Sequence, residues 1–379
     1  MLTDYIRWIN DKALPVWAER GFDTQAGRFR ERLDRLGRPL AVPHRSMVQA
    51  RQIFVFAHAA EIGWLPEGAQ LAETAMASLL RDFAADEGDQ TSFAFSIDPA
   101  NGAILSPIRD AYAHAFLLFS IAALYRLNSD PTLLALADRI IRFIERDLTD
   151  PVHGGLFDAL PAPAEKRQNP HMHLLEAYLF LERAAPGRGY LMRAAALVSR
   201  FRQYFLRGGV LLEYFNSDWS ITNRPTWEPG HHFEWVWLLG EYAALSGEDV
   251  GEAMGTLYSS ARAHGISPEG PILDELSPDG AILKASHRVW PHTEAIKAAA
   301  TRYESGDDEA CGFADRMATA LIHQFLDQPF AGGWVDHRGG NGTALVDYVP
   351  ASTLYHLVLA ASVAAKGFAV APTLAKAGA

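Results

Sequence analysis

Two short segments of the sequence each place a histidine three residues before a glutamate. His173 precedes Glu176 in NPHMHLLEA, and His231 precedes Glu234 in EPGHHFEWVWLL. Residues three apart on a helix share one face, so each pair can point in the same direction. A carboxylate beside an imidazole stabilises the charged ring and fixes its tautomer, which prepares a histidine for proton transfer near neutral pH. Acid–base chemistry is therefore the first prediction for these positions.

The same four residues could instead hold a metal, because two histidines and two glutamates on facing helices bind iron or manganese in helical bundles. Such sites use the order Glu-x-x-His and further carboxylates, whereas the order here is His-x-x-Glu. The polar residues near other predicted helix starts include Arg51, Arg109, Arg288 and Tyr112. Cations around a cavity disfavour a bound cation, so the sequence predicts no metal and no cofactor.

More imidazoles and aromatic rings occur near helix starts. His356 lies in STLYHLVLA, and Trp290, His292 and Glu294 lie in RVWPHTEA. Hydrogen-bonding groups mixed with flat aromatic faces are suited to binding a sugar. The carboxylates available for glycoside hydrolysis are Glu228, Glu234, Asp274 and Glu275. Histidines outnumber them, so hydrolysis remains the weaker alternative.

Apolar residues with a period near 3.6 predict about twelve amphipathic helices. They are expected at 3–20, 44–63, 67–85, 107–128, 131–148, 170–186, 188–206, 230–246, 250–264, 288–304, 308–327 and 350–366. Short turns alternate with long segments that carry strand and turn signals. The long segments are 21–43, 86–106, 149–169, 207–229, 265–287 and 328–349.

This alternation predicts an all-α fold. Helices joined by alternating short and long connections are antiparallel, so every long segment reaches the same end of the structure. Six helix pairs closing into a ring would form an (α/α)6 barrel with long, hairpin-bearing loops on one face. An open solenoid of helix pairs is the alternative. The helices after the long segments open with polar and aromatic residues, as in SPIRDAYAHAF, and their starts should converge on one cavity.

The composition limits the classes of function. With 379 residues, 49% of them hydrophobic, the chain can bury a large core, and we expect a single domain over 1–379 with a peripheral tail from about 367. A net charge of -11 argues against a nucleic-acid or anionic-membrane surface. The lone Cys311 excludes an internal disulfide, and the charged N-terminal segment resembles neither a signal peptide nor a membrane span. We expect a cytoplasmic monomer or homodimer that acts on small molecules.

The segments NPHMHLLEA, PGHHFEWVWLL, RVWPHTEA and YHLVLA resemble the N-acylglucosamine 2-epimerase (AGE) superfamily, which includes mannose isomerases and cellobiose 2-epimerases. The resemblance spans essentially the whole chain. It implies an (α/α)6 barrel and metal-independent interconversion at C1 and C2 of an aldose. It also implies that His231 and His356 are acid/base histidines and that Glu234 accompanies them.

The same resemblance implies that Arg51 and His173 surround the sugar and that Tyr112 and Trp290 are wall residues. From their places near the predicted helix starts, we add Glu176, Arg288 and His292 to the predicted substrate-binding residues. Pro291 and His292 stand where the cellobiose epimerase pattern has a tryptophan and a glutamine, which favours the mannose isomerase branch. The predicted activity is isomerisation of D-mannose, or a close relative such as D-lyxose, to its ketose.

Three alternatives remain open at this point. The first is a 2-epimerase of N-acylglucosamine, mannose/glucose or cellobiose, since both outcomes start from one enediol. The second is a glycoside hydrolase or lyase on the same barrel. The third is a sugar-binding scaffold without turnover.

Overall fold

The computed structural model describes residues 1–370, and thirteen α-helices account for about half of this range. They are α1 (Leu2–Trp8), α2 (Leu14–Glu19), α3 (Ser46–Glu61), α4 (Gly68–Phe83), α5 (Ala111–Asn128), α6 (Pro131–Phe143), α7 (Asn169–Ala184), α8 (Tyr190–Arg200), α9 (Pro229–Ser246), α10 (Gly251–His264), α11 (Val289–Glu304), α12 (Glu309–Gln324) and α13 (Leu354–Gly367). A π-helical turn, Ile9–Ala13, joins α1 and α2 into one continuous helix, so the pattern of twelve helices agrees with the sequence.

Six of these helices form a closed inner ring: α3, α5, α7, α9, α11 and α13. Each contacts the next, and α13 contacts α3. Each inner helix also packs against one outer helix, which is α4, α6, α8, α10, α12 or the α1–α2 pair. The closed ring is the predicted (α/α)6 barrel, and it excludes the open solenoid.

Hydrophobic patterning decides which helices are inside. Along α5 nearly every position between Ala111 and Leu124 is buried, as expected of a helix surrounded on all sides. The outer α6 instead buries one stripe that includes Leu133, Ala137 and Ile140, and exposes the opposite face. The resulting hydrophobic core is continuous from Leu2 to Ala364.

Short antiparallel strands occupy the long segments, at the end of the barrel where the inner helices begin. They are β1 (Phe22–Asp23), β2 (Arg28–Phe29), β3 (Arg32–Asp34), β4 (His44–Arg45), β5 (Ala84–Glu87), β6 (Gln90–Phe93), β7 (Ser96–Ile97), β8 (Ile104–Ser106), β9 (Arg109–Asp110), β10 (Ala159–Leu160), β11 (Glu165–Arg167), β12 (Leu206–Arg207), β13 (Val210–Leu211), β14 (Tyr214–Asn216), β15 (Glu275–Leu276), β16 (Ile282–Lys284), β17 (His287–Arg288), β18 (His337–Arg338) and β19 (Tyr348–Pro350).

Strand pairing joins each long segment to the next one around the barrel. The pairs between segments are β4 with β7, β9 with β10, β11 with β14, β17 with β18, and β19 with β3. In the β11–β14 pair, Lys166 lies opposite Phe215. A bridge between Trp227 and Leu276 joins the remaining two neighbours. The long segments therefore form a closed ring above the cavity, which fixes the side chains that they carry.

Four buried histidines tie the inner helices to these segments. Each is bonded through Nδ1 to the carbonyl four residues earlier and accepts a backbone N–H through Nε2. For His292 the partners are the Arg288 carbonyl at 2.9 Å and the Ile272 N–H at 3.0 Å. The equivalent residues are His114, His171 and His232. Burial lowers the pKa of His292 to about 4, so the ring is neutral, as this pattern of one donor and one acceptor requires.

This arrangement corrects the prediction that His292 binds the substrate. Both ring nitrogens are used by the backbone, and the side chain is fully buried away from the cavity. Its proximity to Trp290 in sequence is misleading, because residues two apart on a helix face different directions.

Replacing His292 with alanine is expected to lower the free energy of unfolding by roughly 1–3 kcal/mol, because the Ile272 N–H loses its acceptor in a buried position. Urea denaturation measures this loss. A role in sugar binding would instead raise KM without changing the unfolding midpoint.

Among residues 1–370, none of the helices has both the length and the unbroken apolar character needed to cross a bilayer. The predicted tail begins inside this range. Phe368 packs on Tyr303 with ring centroids 5.3 Å apart, so the start of the tail contacts the barrel. The remainder of the tail, 371–379, lies outside the described residues.

Candidate active site

A cavity of about 330 Å³ opens where the inner helices begin, beneath the ring of long segments. Eight of the ten predicted site residues line it: Arg51, Tyr112, His173, His231, Glu234, Arg288, Trp290 and His356. The lining also includes Glu228, which the sequence offered only as a carboxylate for hydrolysis, and further residues that were not predicted, namely Arg167, Asn169, Glu213, Tyr214, Asp336, Ser352 and Thr353. All eight residues of this second group come from the long segments or their junctions with inner helices, where periodicity gives no signal.

His231 lies at the first turn of α9, between a carboxylate and an amide. Its Nδ1 is 2.9 Å from Oε1 of Glu213, and its Nε2 is 2.9 Å from the side-chain amide of Asn169. Burial alone would lower the pKa of this histidine, but the charges of Glu213 and then Glu228 raise it to about 9. His231 is therefore a cation near neutral pH.

The carboxylate that charges His231 is not the one that the sequence predicted. Glu234 shares its helix face but makes no hydrogen bond to His231. The partner is Glu213, which lies between β13 and β14 in the long segment that precedes α9. No spacing rule connects Glu213 to His231, since the two meet only when the fold brings a loop across the start of α9.

The pKa of His356 is shifted in the opposite direction to that of His231. Its Nδ1 lies 2.7 Å from Oε1 of Glu294, and its side chain is buried except at the cavity surface. Burial, followed by the nearby Arg51 and Lys297 cations, lowers the pKa of His356 well below its usual value. A neutral imidazole with its proton on Nδ1 keeps a lone pair on Nε2 for a ligand.

The indole of Trp290 lies between these two histidines. Its ring centroid is 4.8 Å from that of His231 and 5.7 Å from that of His356. Gly230 makes room for this indole, because a Cβ at that position would lie 2.5 Å from its ring carbons. A flat apolar face between two imidazoles is a natural platform for a pyranose ring.

Arg288 packs against Trp290 but is saturated by carboxylates. The guanidinium is 5.2 Å from the Trp290 ring and bonds to Asp274 at 2.8 Å and Glu228 at 2.7 Å. Its positive charge is therefore neutralised within the protein, and its contribution to the cavity is mainly structural support for the wall.

The floor of the cavity is formed by His173, Arg51 and the residues beneath them. His173 Nδ1 is 3.0 Å from Oε2 of Glu176, whose Oε1 accepts a hydrogen bond of 2.5 Å from the Tyr355 hydroxyl. Arg51 donates to the Ser352 carbonyl at 3.0 Å. Glu176 is thus beneath the floor and corrects the prediction that it contacts substrate, since both of its oxygens orient other side chains.

Arg51 is held on the floor by aromatic groups. It donates to the Tyr112 hydroxyl, and its guanidinium lies 4.2 Å from the Phe116 ring centroid. The cation is buried but not ion-paired to a carboxylate among the described residues. Arg51 and Tyr112 can therefore offer hydrogen bonds to a developing oxygen anion.

Glu234 is fully buried, and neither of its oxygens has a hydrogen-bond partner in the described part of the chain. Burial, reinforced by the neighbouring Glu294 charge, raises its pKa well above the usual value. A carboxyl group kept neutral in this way can donate a hydrogen bond to a ligand hydroxyl or carbonyl.

Two groups of side chains are close enough to share a metal ion: His173, Glu176 and Glu234, and Glu234, Glu294 and His356. Glu234 is common to both. The other carboxylates are already engaged, Glu176 by Tyr355 and Glu294 by an ion pair of 2.7 Å with Lys297. Buried cations beside the donor atoms disfavour a further cation, so the donor set is a poor fit for a resident metal.

Comparison with known proteins places the chain in a family. Residues 27–360 match the N-acylglucosamine 2-epimerase (GlcNAc 2-epimerase) family. A protein of Rhizobium meliloti (strain 1021) described as mannose-6-phosphate isomerase is 30% identical over 370 residues, covering 93% of this chain and 94% of the relative.

Two further proteins are similar to this chain, one in sequence and one in structure. A cellobiose 2-epimerase of Bacteroides fragilis is 23% identical over 313 residues, covering 76% of this chain and 78% of its own. A crystal structure of D-mannose isomerase superposes with a TM-score of 0.87 at 20% identity, covering 96% of this chain and 97% of that one. The chain is an enzyme of the isomerase class and belongs to the N-acylglucosamine 2-epimerase family of sugar isomerases and epimerases.

Proposed function

We propose that the protein interconverts free D-mannose, or a close relative such as D-lyxose, with the corresponding ketose by metal-independent proton transfer. The observation that carries this proposal is the pair of cavity histidines on either side of Trp290. Charges on Glu213 and Glu228 raise the pKa of His231 to about 9, whereas burial lowers the pKa of His356. Two titratable groups whose environments separate their pKa values are suited to act as acid and base.

His356 is the base in this mechanism. Its neutral Nε2 removes the proton from C2 of the open-chain aldose. The C2–H electron pair forms a C1–C2 double bond, and the carbonyl π electrons move onto O1. Protonated His231 donates a proton to O1, while Arg51 and His173 lie where they can stabilise the oxygen charge. The result is an enediol in which no atom has been gained or lost.

The second half reverses these roles at the neighbouring carbon. Neutral His231 accepts the proton from the O2 hydroxyl, the C2–O bond becomes a carbonyl, and C1 receives the proton held by His356. His231 can also protonate the ring oxygen during ring opening. Return of the proton to the other face of C2 would instead give the epimer, which is why the first alternative shares every residue of this mechanism.

Incubation with D-mannose in deuterated water, followed by NMR, tests the proposal. Because the proton held by His356 can exchange with solvent before it reaches C1, we expect fructose with deuterium at C1, formed at least about tenfold faster than glucose, a barrier difference of about 1.4 kcal/mol. A parallel sample treated exhaustively with EDTA should react at the same rate. Glucose appearing before fructose would make the enzyme an epimerase, and the absence of both conversion and exchange across a panel of free hexoses would leave only hydrolysis or binding.

The hydrolase alternative has less support from the geometry. It requires two carboxyl groups facing each other across a bound glycosidic bond. Asp274 is outside the cavity lining and is bonded to Arg288, to Ser286 at 2.5 Å and to His337 at 2.9 Å. Asp274 therefore does not supply a second carboxyl group opposite Glu234 in the cavity.

The charge of the cavity also bears on whether the sugar is phosphorylated. Of the three arginines that line it, Arg288 and Arg167 are bonded to carboxylates, and Arg51 lies on the floor among aromatic rings. Glu213 and Glu228 add negative charge at the wall. A phosphate dianion binds best to arginines or lysines that have no carboxylate partner, whereas Arg167 and Arg288 at the cavity are both paired with carboxylates.

We therefore expect kcat/KM for free mannose to exceed that for mannose 6-phosphate by at least about tenfold. Initial rates with each sugar, measured by ketose formation, decide this. Equal or higher efficiency with the phosphate would show that an arginine exchanges its carboxylate for the substrate.

A further inference from the structure

Lys297 is a buried ammonium that the mechanism above does not use. It lies on α11, one turn after Glu294, and its side chain has no exposed surface. Its Nζ is 2.7 Å from Oε2 of Glu294 and 3.8 Å from the ring centroid of Trp237. The other oxygen of the same carboxylate, Oε1, is 2.7 Å from Nδ1 of His356. One carboxylate thus connects Lys297 to the proposed base.

We propose that Lys297 is a positioning residue that keeps Glu294 ionised, so that Glu294 holds the His356 proton on Nδ1 and leaves the Nε2 lone pair facing the cavity. This inference rests on the proposed proton-transfer function. A neutral Glu294 could donate its own O–H to Nδ1, and the ring proton would then occupy Nε2. In that tautomer the nitrogen facing the cavity cannot accept a proton from carbon.

The surroundings of Glu294 explain why a cation is needed. Burial raises the pKa of the Glu294 carboxyl, and the Lys297 charge opposes this rise. Two other buried carboxyl groups, Glu176 and Glu234, have pKa values raised by burial and opposed by the same lysine. A buried charge without a partner is costly, whether it is the Lys297 ammonium or the Glu294 carboxylate, so each charge stabilises the other.

Other ionisable groups also face this carboxylate, and they come from five helices. They are Tyr5 on α1, Arg51 on α3, His173 and Glu176 on α7, His231 and Glu234 on α9, and Tyr355 and His356 on α13. Within residues 1–370, no lysine or arginine other than Lys297 forms an ion pair with Glu294. Arg51 is held elsewhere, by Ser352 and Tyr112.

The variant Lys297→Met removes the charge and keeps most of the side-chain volume. We expect kcat near neutral pH to fall by about 10²- to 10³-fold with little change in KM, since the base is in the wrong tautomer. The loss should shrink as the pH rises and Glu294 ionises without help. The acidic limb of the pH–rate profile therefore moves to higher pH.

Lys166 provides a matched control. It is a second buried lysine, 2.5 Å from Asp150 and 4.7 Å from the Trp219 ring centroid, and it is outside the cavity lining. Lys166→Met should lower stability but leave the acidic limb where it is in the wild type. A loss of activity in Lys297→Met that is equal at every pH, as for general structural damage, would overturn the proposal.

The tautomer itself can be read without any activity. Nitrogen-15 NMR of labelled imidazoles separates the two neutral forms, and comparison with His356→Gln identifies the signal. We expect Nδ1–H in the wild type and Nε2–H in Lys297→Met. An Nε2–H ring in the wild type would overturn the proposal even if the variant failed to fold. If the tautomer changes as expected but the wild type converts no sugar, the proposed function fails and the role of Lys297 stands.

Discussion

Replacing His356 with alanine is expected to lower kcat for mannose by about 10²- to 10⁴-fold, the usual contribution of a positioned general base. The variant loses the only group proposed to act at carbon, whereas His231, Arg51 and the Trp290 platform stay in place. KM should therefore change much less than kcat. Ketose formation gives the rate, and exchange of the C2 proton with deuterated solvent reports the carbon step directly.

His58 supplies the control for this variant. It also lies on an inner helix, α3, but at the opposite end of the barrel, where its Nε2 is 3.0 Å from the Ser362 hydroxyl. His58→Ala should retain the wild-type kcat. Full activity in His356→Ala would remove the mechanism, and continued exchange at C2 without ketose formation would transfer the carbon step to another residue.

The fold was predictable because its signals are local and repeated. An inner helix such as α5 is buried around its circumference, and an outer helix such as α6 has one apolar stripe. Connection length then dictates antiparallel packing. Closure of the ring depends on the α13–α3 contact, between helices at opposite ends of the sequence, which no local pattern contains.

The site was predictable to the extent that its residues lie on inner helix starts. His231 and His356 could be identified there, but their partners could not. Glu213 lies in a loop, where the sequence has no periodic pattern. Lys297 resembles an ordinary surface lysine of a helix in the sequence, and only the fold shows that it is buried beside Trp237. The structural role of His292 has a repeated signal, an imidazole four residues after the residue that immediately precedes the inner helix, as also at His232.

The charge on His231 gives the second large effect. Its pKa in the folded protein, about 9, is above the ordinary value of about 6.5. The protonated form is therefore favoured by folding, and its contribution to stability is complete below about pH 6.5 and is lost as the pH rises through about 9. The wild-type free energy of unfolding should fall by about 3 kcal/mol across this range.

Glu213→Gln tests the source of that charge. Glutamine keeps the shape and can still accept from Nδ1, but it cannot balance a cation, so burial is expected to lower the pKa of His231. Near about pH 8 the variant should lose about 10²-fold in kcat, because removing a proton donor costs on this order. At about pH 6 the loss should be smaller, since more His231 is protonated there. A pH–rate profile and urea denaturation over the same range measure both effects.

Glu228→Gln distinguishes this pairing from a general loss of negative charge. Glu228 also lowers the net charge of the wall, but its Oε2 is 4.0 Å from His231 Nδ1 and is bonded to Arg288 at 2.7 Å. Its attraction for His231 is therefore weaker and partly cancelled by the guanidinium. The alkaline limb of kcat should move to lower pH much further in Glu213→Gln than in Glu228→Gln. Equal movement in both variants would mean that the summed electrostatic field of the wall, and not the direct hydrogen bond that His231 donates to Glu213, keeps His231 protonated.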